Sequence, residues 1–373
     1  MDGLLSDLGS TSMYNIDNHL ISVINHASRF QIFRCRTKAF LIAILTLVMM
    51  IVASGQTSFA GSIVAWGMNN VGQISNVPTG ADFKSVAAGS LNGYALRDDG
   101  SIAAWGFNYD GQITNVPTGT GFKAIAGGGD GSFALRADGT IVSWGTNSGG
   151  LITNVPSGPG FIAIEAGEMF AHALRTDGSI AAWGNLGTFV PPNETGFTAI
   201  AGGGYHTYAL RADGSIAAWG HNSDGQVSMT PTGTGFIAIA AGHSTGYALR
   251  ADGSIAAWGL DDQLQVTNTP SGIGFKAIAA GYFSGYALRQ DGSIIAWGMD
   301  NLGQVSNTPT GTGFTAIAGG WQTAYAIRAQ QTVGPGPAVP EPSAVFLAAL
   351  GAFVSVWRTA RGWKSVGANG AAS

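Results

Sequence analysis

Histidines and acidic residues are the side chains of this chain that could act as acids, bases or metal ligands. Glu165 and Glu168 lie close together in the sequence, as two carboxylates must if they share general acid–base work. Four histidines follow residue 60 at uneven intervals: His172, His206, His221 and His243. No histidine has a second ligand at the spacing of a metal motif, and no calcium-loop pattern of aspartates is present. The sequence therefore predicts no catalytic site, metal site or cofactor.

The charge balance argues against a nucleic-acid partner. The chain has 17 Lys and Arg against 21 Asp and Glu, a formal net charge of −4. Acidic residues also outnumber basic ones within residues 61–330. A nucleic-acid binder needs a clustered basic face, whereas most arginines here recur at one repeat position and are spread along the chain: Arg97, Arg136, Arg175, Arg211, Arg250, Arg289 and Arg328.

Large side chains in short variable segments form a second candidate site. These segments follow an Ala-Gly or Gly-Gly pair, and they vary while their surroundings repeat. Their large residues are Met169, Phe170, Tyr205, His206, His243, Tyr282, Phe283 and Trp321. Aromatic anchors are enriched in binding interfaces, so these are the candidate residues for a protein or polysaccharide partner. The alternative is that they fill a central channel.

Repeats of about 39 residues must position these segments. Trp-Gly recurs at Trp66, Trp105, Trp144, Trp183, Trp219, Trp258 and Trp297. Each Trp is expected to be core, and the Asp-Gly pairs, such as Asp252-Gly253, are typical of tight hairpin turns. One unit predicts strands at residues 236–241, 247–250 and 254–258, and residues 226–228 are a candidate fourth, outer strand. No segment within the repeats has a helical period.

The first and last units are incomplete in complementary ways. Residues 61–67 match only the last strand of a unit, and residues 314–328 match only the earlier strands. Joined, they complete one blade and remove the open sheet edges, whereas an open solenoid would need polar capping units. We therefore predict an all-β fold over residues 61–330. It is a seven-bladed β-propeller closed by pairing the N- and C-terminal strands in one blade.

The repeated motif also resembles a known family. Ala-Leu-Arg-x-Asp-Gly-Ser-Ile-x-x-Trp-Gly-x-Asn-x-x-Gly-Gln is similar to the regulator-of-chromosome-condensation repeat, and the resemblance covers about residues 61–330. It implies a protein-binding propeller. It does not imply nucleotide exchange, since no segment corresponds to a dedicated exchange loop.

Residues 1–60 are typical of an export leader. The apolar residues 39–54 follow a basic stretch, and Ser58-Phe59-Ala60 has the small residues that a signal peptidase reads. The 38 residues before the apolar stretch are longer than usual. The alternatives are therefore a misassigned start or an uncleaved anchor. We expect a hydrophobic helical segment here, with cleavage near Ala60.

Residues 331–338 are a Gly- and Pro-rich linker. After it, Val339, Pro340, Glu341 and Pro342 precede an apolar run at residues 344–357 and a basic cluster. Through these features residues 339–373 resemble the PEP-CTERM sorting signal of bacterial envelope and biofilm-matrix proteins. The run is short for a bilayer-spanning helix, which prefers about 20 residues. The resemblance implies processing by an exosortase and transient membrane anchoring through a short transmembrane helix. The processed protein would then reside in the cell envelope, at the cell surface or in the extracellular matrix.

Together these features predict an exported, non-enzymatic binding or scaffold propeller. It would recognise a protein or polysaccharide through variable turns on one face. One alternative is a structural matrix component with no specific ligand. The other is a polysaccharide-acting enzyme, which would need ionisable residues with shifted pKa values to converge at the propeller mouth.

Overall fold

A computed structural model describes residues 61–129 and 131–330, in which the regular secondary structure is almost entirely β-strand. The hydrophobic helical segments expected at both ends, the export leader, the linker and the sorting segment lie outside the described residues. The strands are β1 (Gly61–Gly67), β2 (Phe83–Ala88), β3 (Asn92–Arg97), β4 (Ile102–Gly106), β5 (Phe122–Gly127), β6 (Gly131–Arg136), β7 (Ile141–Gly145), β8 (Phe161–Ala166), β9 (Phe170–Arg175), β10 (Ile180–Gly184), β11 (Phe197–Gly202), β12 (His206–Arg211), β13 (Ile216–Gly220), β14 (Phe236–Ala241), β15 (Thr245–Arg250), β16 (Ile255–Gly259), β17 (Phe275–Ala280), β18 (Ser284–Arg289), β19 (Ile294–Gly298), β20 (Phe314–Gly319) and β21 (Thr323–Ala329).

The strands form repeated three-stranded antiparallel units, as the unit β14–β15–β16 illustrates. The turn between β15 and β16 forms because Gly253 takes a φ of 81°, which side-chain-bearing residues rarely adopt. Asp252 stabilises the turn by accepting the backbone N–H of Ser254 at 2.8 Å. The Asp-Gly pair thus forms the hairpin that the sequence predicts.

Each unit has three strands within the described residues, and the prediction of a fourth strand at residues 226–228 is wrong. This segment is a turn. The side-chain oxygen of Asn222 accepts the backbone N–H groups of Val227 and Ser228, each at 2.9 Å. Because the side chain takes these donors, they are not available to a neighbouring strand.

The two half-units at the ends of the array share one sheet. Strand β1 pairs antiparallel with β21, in a register that runs from Gly61 opposite Ala329 to Gly67 opposite Thr323. Gly61 also pairs with Phe83, so the sheet order is β20-β21-β1-β2-β3-β4. The expected pairing of the first strand with the last is therefore present.

Tryptophan side chains join neighbouring units. Trp258 Nε1 donates to the Gln226 carbonyl at 3.0 Å, and its ring meets the Tyr208 ring edge-on at 4.9 Å. Gly246 must lack a side chain, because a Cβ there would lie 2.3 Å from the Trp258 ring. The seven Trp residues of the Trp-Gly pairs are all buried, so they belong to the core, which lies between adjacent sheets.

Helical structure is minimal in the part of the chain that the structure describes. It is confined to one 3₁₀ turn, Ser148–Gly150. No helix in residues 61–129 and 131–330 is long and apolar enough to span a membrane.

Candidate functional site

The strands of every unit run between two faces, which carry different connections. The Asp-Gly turns between the second and third strands lie on one, here called the turn face. The turns between the first and second strands lie on the other, the mouth face. Loops that leave the third strands also begin on the mouth face: the N–H of His221 donates to the Tyr205 carbonyl at 2.7 Å, and that of Met299 to the Phe283 carbonyl at 2.9 Å. The turns between first and second strands and the loops that leave the third strands therefore share the mouth face.

One cavity opens on the mouth face. The ends of the first strands and the residues after them form its wall, which is mostly Ala and Gly, and with its open end it measures about 480 Å³. Larger side chains line part of it, namely those of Glu168, His243, Tyr282 and Trp321. Small residues on the wall bring the turns of successive units close together around a shared space.

Backbone hydrogen bonds fix the turns around this cavity. The N–H of Gly204 donates to the Gly242 carbonyl at 3.2 Å, and that of Tyr282 to the Gly320 carbonyl at 3.1 Å. Similar bonds join other neighbouring turns around the cavity. The side chains on these turns are therefore held by the scaffold and not by flexible loops.

Five aromatic side chains pack together on the mouth face: Tyr205, His243, Tyr282, Phe283 and Trp321, here called the aromatic patch. Tyr282 lies at its centre, with its ring centroid 3.9 Å from that of His243, 4.5 Å from that of Phe283 and 5.6 Å from that of Trp321. Trp321 is 40% exposed, and the other four are half-buried. The structure thus brings together five of the eight candidate partner-binding residues from successive units.

Glu168 adjoins the patch although sequence reasoning considered it only with Glu165. The Tyr205 hydroxyl donates to Glu168 Oε2 at 2.8 Å, and His243 Nε2 lies 3.7 Å from Oε1. Burial holds the pKa of His243 below its usual range, although Glu168 and Asp224 oppose this shift. Burial and the Glu168 charge raise the pKa of Tyr282. At neutral pH the imidazole is therefore uncharged beside the carboxylate.

Three candidate residues lie apart from the patch. Phe170 is fully buried, with its ring stacked 4.5 Å from that of Phe189. His206 is fully buried against Tyr208 at 4.7 Å, and burial lowers the pKa of His206 to about 3. Met169 is half-buried, and its carbonyl accepts the N–H of Asn185 at 2.9 Å. The side chains of Phe170 and His206 are therefore packed between sheets and do not reach the surface.

Phe189 is a residue of this region that sequence reasoning missed. Its carbonyl accepts Trp219 Nε1 at 3.2 Å, a role that the Gln226 carbonyl has for Trp258. Its ring also lies 6.4 Å from that of Tyr205. The signal in the sequence was the interval between Trp183 and Trp219, the one Trp-Gly spacing shortened to 36 residues.

Glu165 and Glu168 occupy different environments. Glu165 lies in β8 opposite His172 of β9, and burial raises the pKa of Glu165 to about 8 and lowers that of His172 to about 4. No hydrogen bond joins the two glutamates among the described residues. Within the same residues, no three His, Cys, Asp or Glu side chains cluster to hold a metal ion.

Charge is divided between the two faces. Every Lys and Arg of residues 61–330 lies near the turn-face end of a strand. The arginines pack there over phenylalanine rings, as Arg250 does over Phe236 with 4.8 Å from its guanidinium carbon to the ring centroid. The described part of the mouth face carries carboxylates without a Lys or Arg partner, and these belong to Asp110, Glu168, Asp224, Asp261, Asp262 and Asp300.

Comparison with protein families confirms both resemblances. Residues 83–112, 197–226 and 275–304 match the regulator of chromosome condensation (RCC1) repeat, and residues 338–361 match the PEP-CTERM protein-sorting motif. The described residues thus form an all-β array of repeated three-stranded units that resemble the blades of an RCC1 propeller. The sorting motif indicates that the protein is exported and processed at the membrane by an exosortase.

Solved structures share this fold. Prp20p from Saccharomyces cerevisiae, studied with its binding to Gsp1p and histones, is 18% identical with a TM-score of 0.61, over 73% of this chain and 92% of that chain. Human WBSCR16 is 16% identical with a TM-score of 0.61, over 73% of this chain and 100% of that chain. The ectodomain of the Physcomitrella patens receptor kinase CR4 is 24% identical with a TM-score of 0.56, over 64% of this chain and 68% of that chain. These identities establish the fold alone. No protein with a curated description matches the sequence significantly.

Proposed function

We propose that residues 61–330 form a closed seven-bladed propeller that binds a protein or polysaccharide through its mouth face. Residues 1–60 direct export, residues 331–338 act as a linker, and residues 339–373 anchor the chain in the membrane until sorting. The processed propeller is displayed in the cell envelope, at the cell surface or in the extracellular matrix. The pairing of β1 with β21 supports closure, and the sorting motif supports display.

The observation that carries the binding function is the aromatic patch. Trp321 keeps 40% of its surface exposed although it contacts Tyr282. A channel-filling role alone would favour full burial of such a large ring, because burying it removes apolar area from water. An exposed tryptophan on a rigid turn is suited to anchor a partner, since little conformational entropy is lost on binding.

One observation favours an enzyme as a second candidate. Glu168 and His243 converge at the mouth with 3.7 Å between Oε1 and Nε2, and the pKa of His243 is shifted. A polysaccharide-acting enzyme should lose turnover when Glu168 is replaced by Gln. A binding module should show no turnover to lose, and we favour it because the patch presents an exposed aromatic anchor, Trp321.

The test of the binding function replaces the aromatic rings of the patch. The full chain, tagged in residues 331–338 and recovered from the cells that export it, is compared with a variant carrying Tyr205→Ala, Tyr282→Ala, Phe283→Ala and Trp321→Ala. We expect the variant to lose retention of an envelope protein or polysaccharide.

The control for this test is a variant with exposed apolar residues replaced elsewhere, Ile162→Ala and Ile237→Ala, which should retain the ligand. Thermal unfolding of all three chains separates binding from packing. A large drop in Tm of the four-residue variant, without a specific loss of retention, would contradict a binding surface and favour a structural role.

A further inference from the structure

We propose that the aromatic patch binds a basic segment of a partner protein, with a lysine or arginine side chain placed between the rings and Glu168. This inference rests on the proposed binding function and specifies the partner's chemistry. It makes the carboxylate at the mouth the counter-ion of the bound side chain. The rings contact the aliphatic or guanidinium part of that side chain.

The first argument is charge complementarity. Within residues 61–330, Lys and Arg are confined to the turn-face ends of the strands, where Arg97 pairs with Asp82 and Arg211 with Glu194, each at 2.7 Å. The described mouth face carries six carboxylates and no Lys or Arg to neutralise them. A surface with one sign of charge attracts partners of the opposite sign and disfavours those of the same sign.

The second argument is the geometry around Glu168. Its Oε2 accepts the Tyr205 hydroxyl, whereas Oε1 has no hydrogen bond among the described residues, because His243 Nε2 is 3.7 Å away. The neutral imidazole does not compensate the carboxylate charge. Oε1 is therefore left to accept a hydrogen bond from a cationic group, and bonds to charged groups are the stronger class.

The third argument is the aromatic surroundings of that carboxylate. Tyr282 and Trp321 lie with ring centroids 5.6 Å apart and an interplanar angle of 50°, so their faces are inclined to each other. The face of an aromatic ring carries negative charge density and attracts a cation within about 6 Å. A planar guanidinium suits such a site particularly well, because it can stack on a ring while it bonds a carboxylate.

The distribution of the other carboxylates favours a protein segment over a single small cation. Asp224, Asp261, Asp262 and Asp300 lie on the loops that leave three successive units, at β13, β16 and β19. An extended basic segment can place several side chains against this series. A neutral polysaccharide would leave the charge of these carboxylates unused.

The experiment measures binding of a fluorescent octa-arginine peptide to the purified full chain at about 0.15 M salt, where long-range attraction is largely screened. Octa-citrulline, which has the same shape without charge, is the matched peptide. A chitosan oligosaccharide is the cationic sugar probe. We expect octa-arginine to bind at least about tenfold more tightly than either probe, because only it supplies guanidinium groups.

Matched variants locate the peptide. We expect Glu168→Gln to weaken octa-arginine binding by about tenfold and Trp321→Ala by about fivefold. Asp213→Asn changes the net charge equally on the turn face and keeps the turn acceptor for Ser215. Ile237→Ala removes an exposed apolar side chain elsewhere. Both controls should bind within twofold of the parent chain.

Equal weakening by Glu168→Gln and Asp213→Asn would overturn the inference, because the attraction would then reflect net charge alone. Preference for chitosan, or equal binding of octa-citrulline, would overturn it as well. Either result is separable from failure of the proposed function. If the four-residue variant still loses its envelope ligand, the mouth binds something other than a basic segment. If that retention is also unaffected, both proposals fall.

Discussion

The turn face and the mouth face are made from the same strands, yet residues repeat from unit to unit on the first and vary on the second. On the turn face, Asp-Gly recurs in six units, and an arginine lies over a phenylalanine in all seven. On the mouth face, each turn between a first and a second strand has a repeated glycine, and the residue after that glycine changes from unit to unit. These residues are Ser90, Gly129, Glu168, Gly204, His243, Tyr282 and Trp321.

The difference shows at which positions the fold permits the side chain to vary. A hairpin turn demands particular backbone angles, so its residues repeat with the structure. The mouth-face turns are held by backbone bonds between neighbours, such as that from Tyr282 N–H to the Gly320 carbonyl. Their side chains are not needed for the turn and can therefore differ. The residues within strands that differ from their counterparts in other units also lie near the mouth, since Glu165 is next to last in β8 and His206 is first in β12.

The largest effect should come from a turn-face glycine. A Cβ on Gly253 would lie 2.5 Å from Gly274 N, at a φ of 81°, so Gly253→Ala should lower the free energy of unfolding by about 2–4 kcal/mol. Gly233 has a φ of 104° but no atom within 4 Å of such a Cβ, so Gly233→Ala should cost about 1 kcal/mol. On the mouth face, Trp321→Ala should cost less still. Urea unfolding measures all three, and equal costs for the two glycines would contradict the comparison.

A smaller effect, dependent on pH, should come from Glu165 near the mouth end of β8. Its pKa is about 8 in the folded chain against an ordinary 4.5, so the unfolded chain ionises first as pH rises. The folded state therefore loses stability between pH 4.5 and 8. Glu165→Ala, which installs the residue found at Ala240 of β14, should stabilise the chain by on the order of 2–3 kcal/mol at pH 8 and by much less near pH 5.

The control for this prediction is Glu194→Ala, which removes a surface carboxylate that pairs with Arg211. Its effect should change little over the same pH range, because an exposed pair is well solvated. Chemical unfolding at pH 5, 6.5 and 8 compares the two variants. A gain for Glu165→Ala that does not grow with pH would show that the carboxyl is not stabilised in its neutral form.

The smallest effect should come from a repeated but exposed turn-face arginine. Arg250 lies 4.8 Å above the Phe236 ring, so Arg250→Ala should lower the free energy of unfolding by about 0.5–1 kcal/mol. Arg250→Met keeps much of the apolar stem and separates packing from charge. If Arg250→Met costs as much as Arg250→Ala, the charge over the ring supplies the stabilisation. If neither variant changes the unfolding curve, the repeated arginine is not a stabilising feature of this face.

Much of the fold could be predicted because its signals are local and repeated. Asp-Gly marks the hairpins, and the Trp-Gly period marks the units. The incomplete first and last units indicated that β1 pairs with β21. The prediction of a fourth strand was wrong for an equally local reason. The side chain of Asn222 accepts the backbone N–H groups of the following turn, and the pattern of apolar residues does not show that a side chain takes these donors.

The candidate site was harder to predict because exposure depends on position within the turn. Phe170 and His206 begin second strands, where other units hold Thr245, Ser284 and Thr323, and all of these are buried. Tyr282 and Trp321 lie two residues earlier in the repeat and line the cavity. Aligning the units position by position would have separated these buried residues from those that line the cavity. Treating all large residues of one segment as equivalent did not separate them.

Sequence by itself determined the repeat, its turns, the core tryptophans and the C-terminal sorting motif, because each depends on residues close together in one unit or one terminal segment. Tertiary structure alone decided that Glu168, Tyr205, His243, Tyr282 and Trp321 meet, since they belong to different units and approach only when the sheets pack side by side. The structure also shows every Lys and Arg of residues 61–330 near one end of the strands and six carboxylates without a Lys or Arg partner near the other. Strand direction determines that separation, because it assigns each repeat position to a face.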